Sequence, residues 1–301
     1  LPKISLTTIH DVAFKSSDGL YDEKVAEHEY KYRHRLSWLI KLATFGRYRY
    51  NALDYLDWST KFAVKQASRI ITVSDFTKQE IIKYYSAKPE KISVVHNGYN
   101  KLLYKKIVQP EKINQILNKY GISEPYILYV GRLEKKKNTP RLLEAFALMK
   151  ENHPEMKEKL VLVGKAGYGY DEIKYVIEEY NLFNDVIMSG WVEEEDMPYL
   201  YNGAKVFVFP SLHEGFGIPI IEALACGAPI ATSDLPVLRE VAGNAVLYFD
   251  NNSKNDMADK LYSLLTDQDL RAALIKRGLE RCQDFSWEKS ARETLEVIKS
   301  L

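Results

Sequence analysis

Glu214 and Glu222 stand eight residues apart in "HEGFGIPIIEALACGAPI" (213–230), on either side of a glycine loop and a proline. A carboxylate accepts hydrogen bonds from two vicinal hydroxyl groups at once, which is what a sugar or a ribose offers. Gly215 and Gly217 lack side chains, so a ligand can approach their backbone closely. Their N–H groups, with the first turn of the helix that Pro219 opens, suit an anion or a polyhydroxyl group. Glu222 by itself also fits a first-turn glutamate favoured by the helix dipole. A second cluster lies in "VGRLEKKKNTP" (130–140), where Arg132 and Lys137 flank a strand-to-helix loop that Asn138 or Thr139 can cap. Two cations beside the positive end of a helix make a diphosphate site that needs no metal. Lys135 and Lys136 read as solvated neighbours.

These groups need a frame that brings distant loops to one edge. From about 125 onward, short apolar runs alternate with helical patterns. The predicted strands are 126–131, 159–164, 185–190, 206–210, 229–232 and 245–249; the helices are 139–152, 171–181, 194–203, 219–226 and 235–242. Such alternation implies a parallel sheet with helices on both faces, a Rossmann-like domain that binds ligands beyond the carboxyl ends of its strands. Helices at 256–266, 268–281 and 287–300 close the chain. The first hundred residues repeat the theme with strands at 4–10, 69–74 and 91–98 and helices near 28–43, 52–67 and 76–86. Residues 97–113 show no clear period and read as a linker. The predicted domains are 1–104 and 105–301.

The 301 residues, 46% hydrophobic, suffice for two cores, and a net charge of +1 gives no field directed at nucleic acid. Two cysteines provide no disulfide framework, which suits a reducing, cytoplasmic compartment. No apolar run reaches membrane-spanning length. The basic, aromatic stretch 29–58 could touch anionic headgroups at the inner face of a membrane; alternatively its apolar residues pack on the first sheet.

Several segments together resemble the retaining glycosyltransferases of family four. They are the Glu-x7-Glu pair within "PSLHEGFGIPIIEALACGAPI", "YVGRLEKKKN", "SGWVEEEDMPYLYNGAKVFVFPS" (189–211), "LREVAGNAVLYFD" (238–250) and "FSWEKSA" (285–291). "TTIHDVAF" (7–14) and "RIITVSDFTKQEI" (69–81) join them. The resemblance implies an α/β protein of GT-B type: two Rossmann-like domains facing a cleft, acceptor side first and nucleotide-sugar donor side second. It also implies catalytic roles for His10, Arg132, Lys137 and Glu214. Arg132 and Lys137 would neutralise the departing diphosphate, Glu214 would hold the transferred sugar, and His10 would reach the donor sugar or acceptor. Donor binding would fall to Val192, whose backbone would read the base, to Gly215, Phe216, Gly217 and Ile218, to Glu222 on the ribose, and to Lys165. Family members normally carry a further strand and glycine loop about 100 residues ahead of the "HD" motif, so the first domain is expected to be incomplete.

"VGKAGYGYDEI" with "HEGFGIPIIEAL" most resembles mannosyltransferase-like members acting on surface polysaccharides. GDP-mannose is therefore the leading donor and a saccharide or lipid-linked molecule the acceptor, with no metal or other cofactor required. Two other readings stand beside this one: a non-catalytic nucleotide-sugar binding module, and a nicotinamide-dependent dehydrogenase. The glycines of 163–169 lack the dinucleotide order, which disfavours the dehydrogenase. "DQD" (267–269) has the spacing of a metal-binding pair but sits where acidic residues favour a helix start. The histidines form no metal spacing.

Overall fold

Runs that are apolar on both faces of a strand must be covered from both sides, and this decides the architecture. A computed structural model describes residues 4–16, 20, 52–123 and 125–301. The chain divides into two units, Leu1–Val95 with Glu293–Leu301, and His96–Arg292.

In the first unit the described strands are β1 (Leu6–Ile9), β2 (Arg69–Thr72) and β3 (Ile92–Val94), parallel and in that spatial order. The described helices are α1 (Ala13–Ser16), α2 (Ala52–Gln66) and α3 (Asp75–Tyr85). Ile9, Val12, Val64, Ile70, Ile81 and Ile92 form the core. Ser74 caps α3, its side chain accepting from the Thr77 N–H at 3.1 Å. The expected helix at 28–43 and most of the stretch 29–58 lie outside the described residues.

The second unit is built on a sheet of β4 (Tyr126–Val130), β5 (Lys159–Val163), β6 (Val186–Gly190), β7 (Val206–Phe209), β8 (Ile230–Ser233) and β9 (Leu247–Phe249). All neighbours run parallel, in the order β6-β5-β4-β7-β8-β9. The chain winds outward from β4 in one direction, then returns to β7 and winds the other way. The order therefore reverses between β4 and β7, the place where an open α/β sheet leaves a crevice at its carboxyl edge.

Alternation along the strands sorts the core. Ile127, Tyr129, Leu160, Leu162, Val206 and Val208 are buried in one cluster with Leu142 and Phe146 of α5 (Thr139–Asn152), Ile173 of α6 (Tyr170–Glu179) and Leu261 of α10 (Lys254–Thr266). On the other face Phe207 meets the ring of Tyr201 from α7 (Met197–Gly203) edge-on at 5.2 Å. Tyr126 donates from its hydroxyl to the Leu200 carbonyl at 2.7 Å. The remaining helices are α4 (Pro110–Lys119), α8 (Ile218–Cys226), α9 (Pro236–Ala242), α11 (Gln268–Arg281) and α12 (Trp287–Lys299). Asp267 of "DQD" is the cap of α11, accepting from the Leu270 N–H at 2.8 Å.

The linker reading needs correction. Residues 110–113 open helix α4, whose buried Ile113 and Leu117 recur at helical spacing, and Tyr99 and Tyr104 ahead of it are buried. Strand β3 stops at Val94, short of the expected 98.

Candidate active site

The two loops that cross the carboxyl edge at the strand-order reversal are those after β4 and β7. The first carries Arg132–Lys137 and the second Ser211–Gly217. Their positions follow from the register that pairs Tyr129 with Val208. The loops are joined directly, since the Leu212 N–H donates to the Lys136 carbonyl at 3.0 Å. The loop after β5 supports the first from its other side: the Leu133 N–H donates to Lys165 and the Lys135 N–H to Tyr168, at 2.9 and 2.8 Å.

This lacing brings Lys137 and Glu214 together across 77 positions of chain, Nζ to Oε1 at 2.5 Å. The Ser211 hydroxyl donates to the same Oε1 at 2.6 Å, and the Lys137 ammonium lies 5.5 Å from the centre of the Phe209 ring. The side chains of Lys137 and Glu214 are 18% and 11% exposed. An ion pair so far from water holds only because other bonds complete its shell. A ligand carrying phosphate and hydroxyl groups could exchange with it, the phosphate for the carboxylate at Lys137 and the hydroxyls for the ammonium at Glu214. Tyr129 stands close by, its hydroxyl donating to the Arg132 carbonyl at 2.9 Å. Burial raises its pKa far above the usual range, against a hydrogen bond with the Thr139 side chain, and the Glu214 and Glu134 charges raise it further, so the phenol stays neutral.

Arg132 is placed differently. Its side chain is 68% exposed and pairs with Glu134 at 3.6 Å rather than with Glu214. Lys165 is exposed beyond β5, with its ammonium 4.9 Å from the ring centre of Trp191, itself 61% exposed beyond β6. Val192, next in line, is buried. Glycine spacing shapes the loop after β7: Gly217 adopts φ +101 and a side chain there would press Leu238 at 3.0 Å. Gly217 occupies the N-cap position of α8, where no side chain caps the helix, while Ile218 opens it. Phe216 is buried between His96 and Phe285, at ring separations of 5.9 and 5.7 Å.

Glu222 sits about 6 Å along α8 from Ile218 and belongs to another cluster. The Tyr201 hydroxyl donates to its Oε2 at 3.2 Å, and the Tyr104 hydroxyl also bonds this carboxyl. Burial pushes the pKa of Glu222 up to about 7, against the pull of the two tyrosines. His10 follows β1 in the first unit, exposed, its carbonyl accepting from the Thr77 hydroxyl at 3.4 Å. Sequence reasoning passed over Ser211, Tyr104, Tyr201 and Trp191. The only signal for Ser211 was its place three residues before Glu214. Among the described residues no group of three or more His, Cys, Asp or Glu could hold a metal ion. Nor is any described helix long and apolar enough to cross a membrane.

Known proteins share this frame. The profile described as Glycosyl transferases group 1 matches residues 109–281, and that of Glycosyltransferase Family 4 matches 7–101. The O-antigen chain mannosyltransferase B of Escherichia coli is 33% identical over 248 residues, covering 82% of this chain and 64% of that protein. The O-antigen chain mannosyltransferase RfbU of Salmonella typhimurium is 32% identical over 194 residues, 64% of this chain and 50% of that one. The chain thus spans less than two thirds of the length of these relatives. Anabaena Alr3699/HepE, solved in complex with UDP and glucose, superposes with a TM-score of 0.72 at 23% identity, over 82% of this chain and 67% of that one. The α/β fold is the GT-B fold of glycosyltransferases. The chain belongs to the group 1 glycosyl transferase family, with family 4 character in its first hundred residues.

Proposed function

We propose that the protein transfers a sugar from a nucleotide-sugar donor to a saccharide or lipid-linked acceptor, with retention of configuration, in glycan synthesis. The observation that carries this reading is the Lys137–Glu214–Ser211 cluster at the strand-order reversal. It offers one cation and one hydroxyl-binding carboxylate side by side, which complement the phosphate and hydroxyl ends of an activated sugar. The names of the two relatives support mannose as the sugar, and so GDP-mannose as the donor. HepE holds UDP and glucose, which keeps UDP-glucose as the competing donor.

In the reaction we envisage, the acceptor hydroxyl oxygen bonds to the anomeric carbon as the bond from that carbon to the phosphate oxygen breaks. The acceptor proton passes to the departing phosphate on the same face, so configuration is retained. Charge grows on the diphosphate, and Lys137 with Arg132 takes it up. A charge pair about 4 Å apart at an effective dielectric of about 20 is worth up to ~4 kcal/mol. Half of that exceeds a tenfold rate effect, by the usual relation of about 1.4 kcal/mol per decade. These cations supply the neutralisation without a metal. Glu214 orients the sugar, Glu222 the ribose, and the Val192 backbone the base. His10 serves the acceptor side, at the cytoplasmic face of a membrane where a lipid-linked acceptor would stand.

A thermal-shift panel of GDP-, UDP- and ADP-sugars on the full chain tests the reading. A ligand that binds only the folded state raises the melting temperature in proportion to the logarithm of its concentration over Kd. We expect a rise with GDP-mannose larger than with the others. A rise with UDP-glucose alone would reassign the donor, and no rise with any would remove the donor site.

A further inference from the structure

Glu222 is held from behind by two tyrosines that come from different parts of the chain. Tyr201 of α7 is fully buried, wedged edge-on against Phe207 of β7, so the sheet fixes the place of its hydroxyl. Tyr104 precedes α4 and is 5% exposed; its ring meets that of Tyr201 edge-on at 6.1 Å. Asn202, next to Tyr201, stitches the two segments together. Its Oδ1 accepts from the Ile107 N–H at 2.8 Å and its Nδ2 donates to the Lys105 carbonyl at 3.0 Å. Two hydroxyl donors are thus fixed against one carboxyl by a hydrophobic wall and a backbone tie, a costly arrangement for a glutamate with no task.

We propose that Tyr104 and Tyr201 are positioning residues that aim the Glu222 carboxyl at the ribose diol of the donor and favour its ionised form, and so set a pH-dependent preference for ribonucleotides over 2′-deoxyribonucleotides. This rests on the reading of Glu222 as the ribose ligand. An ionised carboxylate accepts from both hydroxyls of a diol, whereas a protonated one loses an acceptor site. The groups facing Glu222 are Tyr201, Tyr104, Cys226 on its own helix, and Glu194 from the loop before α7. Burial raises the pKa values of both tyrosines and the thiol, so all three are neutral across the working range. Burial and, to a lesser degree, the Glu194 charge push Glu222 toward its protonated form; the tyrosine hydroxyls oppose them.

The test is calorimetry on the full chain with GDP or UDP, whichever binds more tightly, and its 2′-deoxy form, from about pH 6 to about pH 9. The readout is the ratio of the two affinities, because titration of the terminal phosphate is common to both nucleotides. In the wild type the ratio should fall as pH drops through about 7, the value that burial gives Glu222. Tyr201→Phe and Tyr104→Phe each remove a donor that favours the ionised form. The midpoint should move upward, and the ratio near neutral pH should fall about twofold for a half-unit move. A purely structural role would weaken both nucleotides alike and leave the midpoint in place. Binding of both nucleotides with an unmoved midpoint in the variants would overturn this proposal alone. Should either variant fail to fold, a wild-type ratio independent of pH overturns it without them. Binding of neither nucleotide to the wild type would overturn the donor-site reading along with it.

Discussion

Glu222, which we propose as the ribose ligand, shows how a buried carboxyl works against the fold that carries it. Its pKa in the folded protein, about 7, lies above the ordinary carboxylate value, so the folded chain holds this proton more tightly than the unfolded chain does. The contribution of Glu222 to stability is therefore best at acid pH and declines as pH rises to about 7. Glu222→Gln removes that decline. The ligand-free variant should exceed the wild type in stability by about 1–3 kcal/mol at pH ~8, and should show a flatter profile from pH ~5 to ~8 in urea melts. Equal slopes for the two proteins would mean that Glu222 is not held in this way. The residues themselves were largely legible. Lys137, Glu214 and Glu222 announce their chemistry by type and by proximity to glycine loops. What could not be read was partnership: Lys137 with Glu214, and Glu222 with Tyr104, are contacts between distant parts of the chain, and periodicity reports only on neighbours. Arg132 looked equivalent to Lys137 in sequence, yet it points to Glu134 at the surface.

At the scale of elements, the site's two loops, after β4 and β7, are backed by the ends of β5 and β6, to which the β4 loop is locked. Gly164 is the tightest point. It has φ +142, and a Cβ there would lie 1.9 Å from the Gly131 carbonyl oxygen. Its N–H donates to the Gly190 carbonyl at 2.9 Å, binding the β5 and β6 ends. Gly164→Ala must push the β4 loop aside, and should cost about 2–4 kcal/mol of stability while also weakening nucleotide binding. Chemical denaturation beside nucleotide titration would check both effects; an unstrained, fully stable variant would show that the loops are not so fixed. The glycines of 163–169 were visible as a cluster, and their reason is now plain: they permit two loops to cross. Strands of the second sheet were legible to within a residue or two because a parallel strand buried on both faces reads as an unbroken apolar run. Helix α4 was lost because Tyr99 and Tyr104, buried without regular structure, masked the point where Ile113 and Leu117 begin a helical period.

At the scale of the whole molecule, a net charge of +1 leaves local groups rather than a global field to capture an anionic ligand. Each unit matches its own family profile, 7–101 and 109–281, yet the residues that would hold the donor all lie in the second. The opening residues were harder to interpret because they offer no spacing as plain as a pair of glutamates. We propose that Lys137, released from Glu214, grips the donor diphosphate at the strand-order reversal. Calorimetric titration of the full chain with its preferred nucleotide sugar, comparing wild type with Lys137→Ala, tests this grip. Affinity should fall by about tenfold or more in a variant that still shows a cooperative melt. Equal affinity in the two proteins would contradict it.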